Sequence, residues 1–153
     1  MSQEDGPVAK TTVLFVCPDN SLLGPMAEAC LNARSGGLIR AFSAGLQPAV
    51  RISNHATRLL TAHGVSAKGL TPKPLDVFLM PHAEVPDRII YLSDMKAICQ
   101  PPAWKGTTSS HWWSVTEGGA PKDDFSACSE YLRRIWLAID GLIDPSVPLE
   151  AQA

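Results

Sequence analysis

A chain of 153 residues, 45% of them hydrophobic, can bury one ordinary core and does not call for a second domain. Its formal net charge of -2, with no cluster of Lys and Arg, excludes a protein that tracks the phosphate backbone of nucleic acid. No apolar run reaches the roughly 18 to 20 residues of a membrane span, and the start MSQEDGPVAK lacks the charged-then-apolar layout of a secretory signal, so a soluble cytoplasmic protein is expected.

Thr11 to Cys17, TTVLFVC, is a continuous apolar run rich in β-branched and aromatic residues, as a strand buried on both faces requires. A short loop leads to Pro25 at a first helical position. Met26, Ala27, Cys30 and Leu31 then recur at helical spacing until Ser35-Gly36-Gly37 ends the helix. Leu38 to Phe42 reads as a second strand closed by Ser43-Ala44-Gly45, and Ile52 to His63 as a second helix with Ala56, Leu59 and Leu60 on its apolar face and Gly64 at its end. Arg88 to Leu92 is a third strand, Ser93 to Ile98 a short helix, and Ser110 to Val115 a fourth strand. The last helix starts at Asp123 or Asp124 as N-cap and runs to the region of Gly141, with Phe125, Cys128, Leu132, Ile135, Trp136, Ile139 and Leu142 on one stripe. Strands and helices joined by short connections imply a three-layer α/β/α fold, with helices on both faces of a central, mostly parallel four-stranded sheet. One domain over residues 11 to 143 is expected, with 1 to 10 and 144 to 153 as tails.

Four cysteines, Cys17, Cys30, Cys99 and Cys128, are too few and too far apart for a disulfide scaffold. They form no close ligand pattern with His55, His63, His82 or His111, so neither a metal nor a cofactor is expected. Cys17 stands out by position. A cysteine at the carboxyl end of a buried strand, just before a helix, has its sulfur beside the helix's positive end, which lowers a thiol's pKa. The same turn can aim backbone N–H groups at an oxyanion. Cys17 is the candidate nucleophile on this reasoning, set against the bland reading of a small apolar residue that ends a core strand.

The segment from Val13 to Glu28, VLFVCPDNSLLGPMAE, resembles the nucleophile loop of the low-molecular-weight protein tyrosine phosphatases and of the thioredoxin-coupled arsenate reductases that share their fold, whose pattern is C-x5-R-[ST]. FSAG at Phe42 to Gly45, HGV at His63 to Val65, DRIIYLSD at Asp87 to Asp94 and SHWWSVTEG at Ser110 to Gly118 are similar to further stretches of that family, so the resemblance spans roughly residues 11 to 142. It implies the family's phosphatase-like α/β fold and an anion loop made of Pro18, Asp19, Asn20, Ser21, Leu22, Leu23 and Gly24.

The resemblance also shows what is altered. Leu23 stands where the family's arginine forks around phosphoryl oxygens, and Gly24 where the following hydroxyl stabilises the thiolate. Asp19 adds a carboxylate at the loop's mouth, and Pro18 removes an N–H. Asn20 matches a residue that holds the loop in shape. Glu117 falls at the place of the family's general-acid Asp, within a looser Glu-Gly-Gly, against a solvated loop carboxylate as the other reading. Cys99 matches the last cysteine of the reductases' disulfide relay, but Leu92 or Ser93 fills the middle position, so the relay is broken. Cys30 and Cys128 lie on core stripes.

A catalytically impaired member of the family, a pseudophosphatase, is therefore expected, with a small oxyanion or a protein as its ligand. The alternative is an active cysteine-dependent phosphatase or thiol-redox enzyme that uses Cys17 with a recruited cation, for which Arg40 and Arg51 are candidates. Of the aromatic residues near the entrance, Trp104, Trp112, Trp113 and Phe78, one adjacent tryptophan should be core and the other should cover the sheet edge, because neighbours in a strand face opposite ways.

Overall fold

The computed structural model describes residues 11–143; the expected tails, 1–10 and 144–153, lie outside the described residues. In chain order the elements are β1 (Thr11–Cys17), α1 (Leu23–Ser35), β2 (Ile39–Gly45), α2 (Asn54–Ala62), α3 (Asp76–Leu79), β3 (Arg88–Tyr91), a 3-10 turn (Pro102–Trp104), β4 (Ser109–Trp112) and α4 (Phe125–Ile143). The four strands form one all-parallel sheet in the order β2-β1-β3-β4. This is the expected α/β fold.

Alternation along β1 builds both cores. Val13, Phe15 and Cys17 face a cluster with Met26, Cys30, Leu60, Leu132, Ile135 and Ile139, and α1, α2 and α4 pack together on that side. Leu14 and Val16 face a second cluster with Ile89, Tyr91, Leu75 and Trp104. Both faces are dry, which is why β1 reads as an unbroken apolar run. The second layer is thin, made of α3, the 3-10 turn and the loops around them.

Several element boundaries differ from the sequence expectation. The expected helix from Ser93 to Ile98 does not form; Met95 N–H donates to the Ser93 carbonyl at 2.9 Å and Ile98 N–H to Tyr91 Oη at 2.9 Å, so a turn anchored on a core tyrosine replaces it. Ser43-Ala44-Gly45 continues β2 because Phe15, Val16 and Cys17 pair with it, while Leu38 is left outside and exposed. Helix α1 begins at Leu23, and Pro25 sits inside its first turn, where a missing N–H costs nothing. The last helix is capped by Asp124, whose Oδ1 accepts from Ala127 N–H at 2.8 Å. Phe125 is exposed, off the buried stripe. Trp113 packs on Phe15 at 5.5 Å between ring centroids, and Trp112 stacks half-exposed on Tyr91 at 4.7 Å, as the alternation rule requires. Among the described residues no helix is long and apolar enough to cross a membrane.

Strand β1 pairs with β2 on one side and β3 on the other, so the chain leaves it in opposite directions. The crevice beyond its carboxyl end is the switch point at which open parallel sheets bind ligands. Cys17 occupies that end.

Candidate functional site

The loop after Cys17 is held from outside. Its carbonyls accept from a neighbouring segment: Gln47 N–H to Pro18 at 2.9 Å, Ala49 N–H to Asp19 at 2.8 Å, Ser53 N–H to Ser21 at 2.8 Å. Asn20 is fully buried in a left-handed conformation, φ 54°, and its Oδ1 accepts from Lys73 N–H at 2.7 Å. Lys73 in turn accepts Gly45 N–H at 2.8 Å, and Gly45 accepts Leu75 N–H at 3.0 Å. Gly45 must be glycine for this to close: a Cβ there would lie 2.9 Å from Asn20 N and 2.9 Å from the Asp19 carbonyl carbon, both backbone atoms. Ser43 Oγ donates to Glu28 at 2.6 Å, and the Lys73 ammonium lies 3.4 Å from the same carboxylate.

Inside the loop, Asp19 Oδ1 accepts from Ser21 N–H at 3.1 Å and from Ser21 Oγ at 2.9 Å. An internal carboxylate thus takes two donors that an oxyanion could use. Gly24 is tightly enclosed: a Cβ would meet Asn20 Nδ2 at 2.7 Å and Cys17 Sγ at 3.0 Å. Glycine offers no side-chain acceptor, and among the described residues Asn20 Nδ2 finds no hydrogen-bond partner.

Cys17 is buried, and the expectation of a lowered thiol pKa is overturned. Burial pushes its pKa from 9.0 up to about 11; the backbone N–H groups of Gly24 and Asn20 pull it down, the Asp19 carboxylate pushes it up and the Asn20 amide adds a weaker downward pull. The nest does aim at the sulfur, but desolvation in an apolar surround outweighs it. Leu23, fully buried in the main core, provides that surround.

A cavity of about 280 Å³ opens beside Cys17, lined by Pro18, Asp19, Ser21, Leu22, Leu23, Ala120, Pro121 and Asp123. The structure therefore brings Cys17 together with the loop residues of the sequence reading, apart from buried Asn20 and Gly24 behind them. It does not bring the others. Glu117, at φ 57°, pairs with Arg134 at 3.2 Å and lines a different cavity with Ser93, Asp94, Trp112 and Trp113. Cys99 is exposed and off the Cys17 cavity. Arg40 pairs with Glu84 at 3.0 Å and lies over Phe42; its row is five positions below Gly45 in the sheet, roughly 16 Å away at about 3.3 Å per residue. Arg51 is exposed and does not line the cavity.

Asp123 was expected as a helix cap, but it is the carboxylate on the far wall. Its Oδ1 accepts from Ser53 Oγ at 2.8 Å, meets His55 Nδ1 at 2.9 Å and lies 3.8 Å from Cys128 Sγ. Hydrogen bonds from His55 and then Ser53 hold its carboxyl below the usual range. Among the described residues, His55, Asp123 and Cys128 are a set that could ligate a metal, with ligand atoms within 4.8 Å of one another. Sequence reasoning missed this group because His55 lies about seventy residues from Asp123 and Cys128 and nothing in either local pattern points to the other.

The family model of low molecular weight phosphotyrosine protein phosphatase matches residues 12–104. Among solved structures, the chain is similar to an arsenate reductase from Archaeoglobus fulgidus at 25% identity, covering 86% of this chain and 98% of that one with a TM-score of 0.65. A thioredoxin-dependent arsenate reductase from Corynebacterium glutamicum is 26% identical, with 89% of this chain and 64% of that chain covered and a TM-score of 0.64. A low molecular weight protein tyrosine phosphatase from T. tengcongensis shares the fold at 22% identity and TM-score 0.67, over 89% of this chain and 99% of that one. No curated protein matches the chain.

Proposed function

Since the chain belongs to the low molecular weight phosphotyrosine protein phosphatase family, we propose that it is a catalytically impaired member, a one-domain protein over residues 11–143 that keeps the family's frame as a binding module of the cytoplasm. The observation that carries this reading is the charge of the cavity beside Cys17: its lining includes the carboxylates of Asp19 and Asp123 and no Lys or Arg. A phosphoryl dianion there meets repulsion, a thiol held neutral, and a leucine in place of the arginine fork. Loss of a single oxyanion donor costs about 10²- to 10³-fold in turnover, and a bidentate cation is worth at least as much. A ligand for this cleft is better sought among neutral or apolar groups, such as a side chain of a partner protein, than among small oxyanions.

The other reading, an active enzyme with a recruited cation, has less support, because Arg40 and Arg51 lie off the cavity and Cys99 is not beside Cys17. The test is hydrolysis of an aryl phosphate together with melting temperature in phosphate, arsenate and tungstate, for the wild type and for the double variant Leu23→Arg, Gly24→Ser. The wild type is expected to show neither turnover nor a shift, since only a ligand that binds the native fold raises its melting point. Wild-type turnover that disappears in Cys17→Ser would overturn the proposal.

A further inference from the structure

We propose that His55, Asp123 and Cys128 form a binding site for one divalent transition-metal ion of the zinc class, at the wall of the Cys17 cavity. The three residues come from separate places: His55 from the first turn of α2, Asp123 from the segment before α4, Cys128 from the first turn of α4. The fold brings their ligand atoms within 4.8 Å of one another. His55 Nδ1 is 2.9 Å and Cys128 Sγ 3.8 Å from Asp123 Oδ1. Zinc bonds of about 2.0 to 2.3 Å imply tetrahedral ligand-to-ligand edges of about 3.3 to 3.7 Å, so the widest separation must close by about 1 Å, within reach of side-chain rotation.

The donor set selects the ion. One imidazole nitrogen, one carboxylate oxygen and one sulfur suit a borderline-soft ion and not magnesium or calcium, which take oxygen ligands. The carboxylate is already oriented by Ser53 Oγ at 2.8 Å, and Ser53 is itself fixed by capping α2 through His55 N–H at 3.2 Å. Such outer hydrogen bonds are what hold metal ligands in place. Binding forms three bonds to the ion while the Cys128 proton leaves to solvent and His55 gives up its Nδ1 hydrogen, the neutral imidazole keeping its proton on Nε2, and no electron changes hands. Asp123 belongs to both this group and the cavity wall, so an ion here offsets the carboxylates that make the cavity hostile to anions. The competing account is a hydrogen-bonded clamp between α2 and α4 that binds no metal.

The test uses the full chain carrying Cys99→Ser, because an exposed thiol collects metal on its own. Zinc is titrated by calorimetry, and cobalt(II) by absorption. The expected results are one equivalent of zinc, a raised melting temperature, and a thiolate-to-cobalt charge-transfer band. That band is lost in Cys128→Ser, and zinc affinity falls at least about tenfold in each of the half-exposed or exposed variants His55→Ala and Asp123→Asn, which do not open the core. No one-equivalent binding, a cobalt spectrum without the thiolate band, or unchanged zinc affinity in His55→Ala and Asp123→Asn would each overturn the site. If Cys128→Ser does not fold, the two remaining variants decide.

Discussion

The environment of Cys17 can be tested by the rate at which its thiol is alkylated. With a pKa moved from 9.0 to about 11, the thiolate fraction at pH 7 falls from about 1% to about 0.01%, a loss of about 100-fold in the species that reacts. The side chain is also only 1% exposed, so reagent needs a local opening before it can reach the sulfur. Cys99, exposed in the same molecule, is the internal reference. Iodoacetamide at pH 7, quenched over time and read peptide by peptide in a mass spectrometer, should label Cys99 at least about 100-fold faster than Cys17. The Cys17 rate should then climb about tenfold per pH unit beyond pH 9, where an ordinary thiol levels off. A Cys17 that reacts as fast as Cys99 at pH 7, or that levels off below pH 8, has a stabilised thiolate, and the desolvation argument fails with it.

Three further outcomes follow from the loop's construction. Gly45→Ala should destabilise the protein by about 1 to 3 kcal/mol in urea unfolding, since the added carbon meets two backbone atoms at 2.9 Å; a change under about 0.5 kcal/mol would contradict the close approach. Asn20→Ala should cost about 1 to 3 kcal/mol by orphaning Lys73 N–H, plus about 1 to 2 kcal/mol for an alanine held at φ 54°. Asn20→Gly avoids the second cost, so an alanine variant as stable as the glycine variant would refute this account. Finally, a thiol whose folded pKa lies above its unfolded value adds nothing to lose below pH 9, and stability then falls as pH rises toward 11, by roughly 3 kcal/mol for Cys17. Cys17→Ala should remove that share of the alkaline decline, measured as melting temperature against pH, while the Cys30 and Cys128 thiols, pushed by burial to about 12 and about 11, keep theirs.

What was legible in the sequence was what repeats locally. The apolar run of β1, the helical stripe of α4 and the turn residues around Gly36 and Gly64 each carry their own periodicity, and the structure has them. The Cys17 loop was legible too, through its likeness to a family. Two things were hidden, and both depend on side-chain partners that local periodicity does not encode. The helix expected after β3 lost to a side-chain bond, Ile98 N–H to Oη of the core Tyr91 seven residues earlier, which helix propensity does not register. The family's general-acid place was matched to Glu117 by likeness of motifs, yet Glu117 pairs with Arg134 in a different cavity, while Asp123, bonded to Ser53 and His55, lines the cavity beside Cys17. The thiol's pKa was misjudged for a third reason: helix-end electrostatics can be read from position, but the desolvation that outweighs it comes from Leu23 and the whole main core.

Why the loop survives with Leu23 and Gly24 has a physical answer in where its hydrogen bonds go. Three of its carbonyls are tied to the segment from Gln47 to Ser53, Asn20 is tied to Lys73, and Gly45 lets the backbones touch. None of these contacts involves the side chain at 23 or 24. Two interior donors, the N–H and the hydroxyl of Ser21, are tied off by Asp19. A cradle shaped only by the anion it holds would unravel once its cation became leucine, because buried N–H groups without acceptors cost about 1 to 3 kcal/mol each. Here the frame is fixed from behind and Ser21 is satisfied by Asp19, so the loop keeps its structure with leucine at position 23.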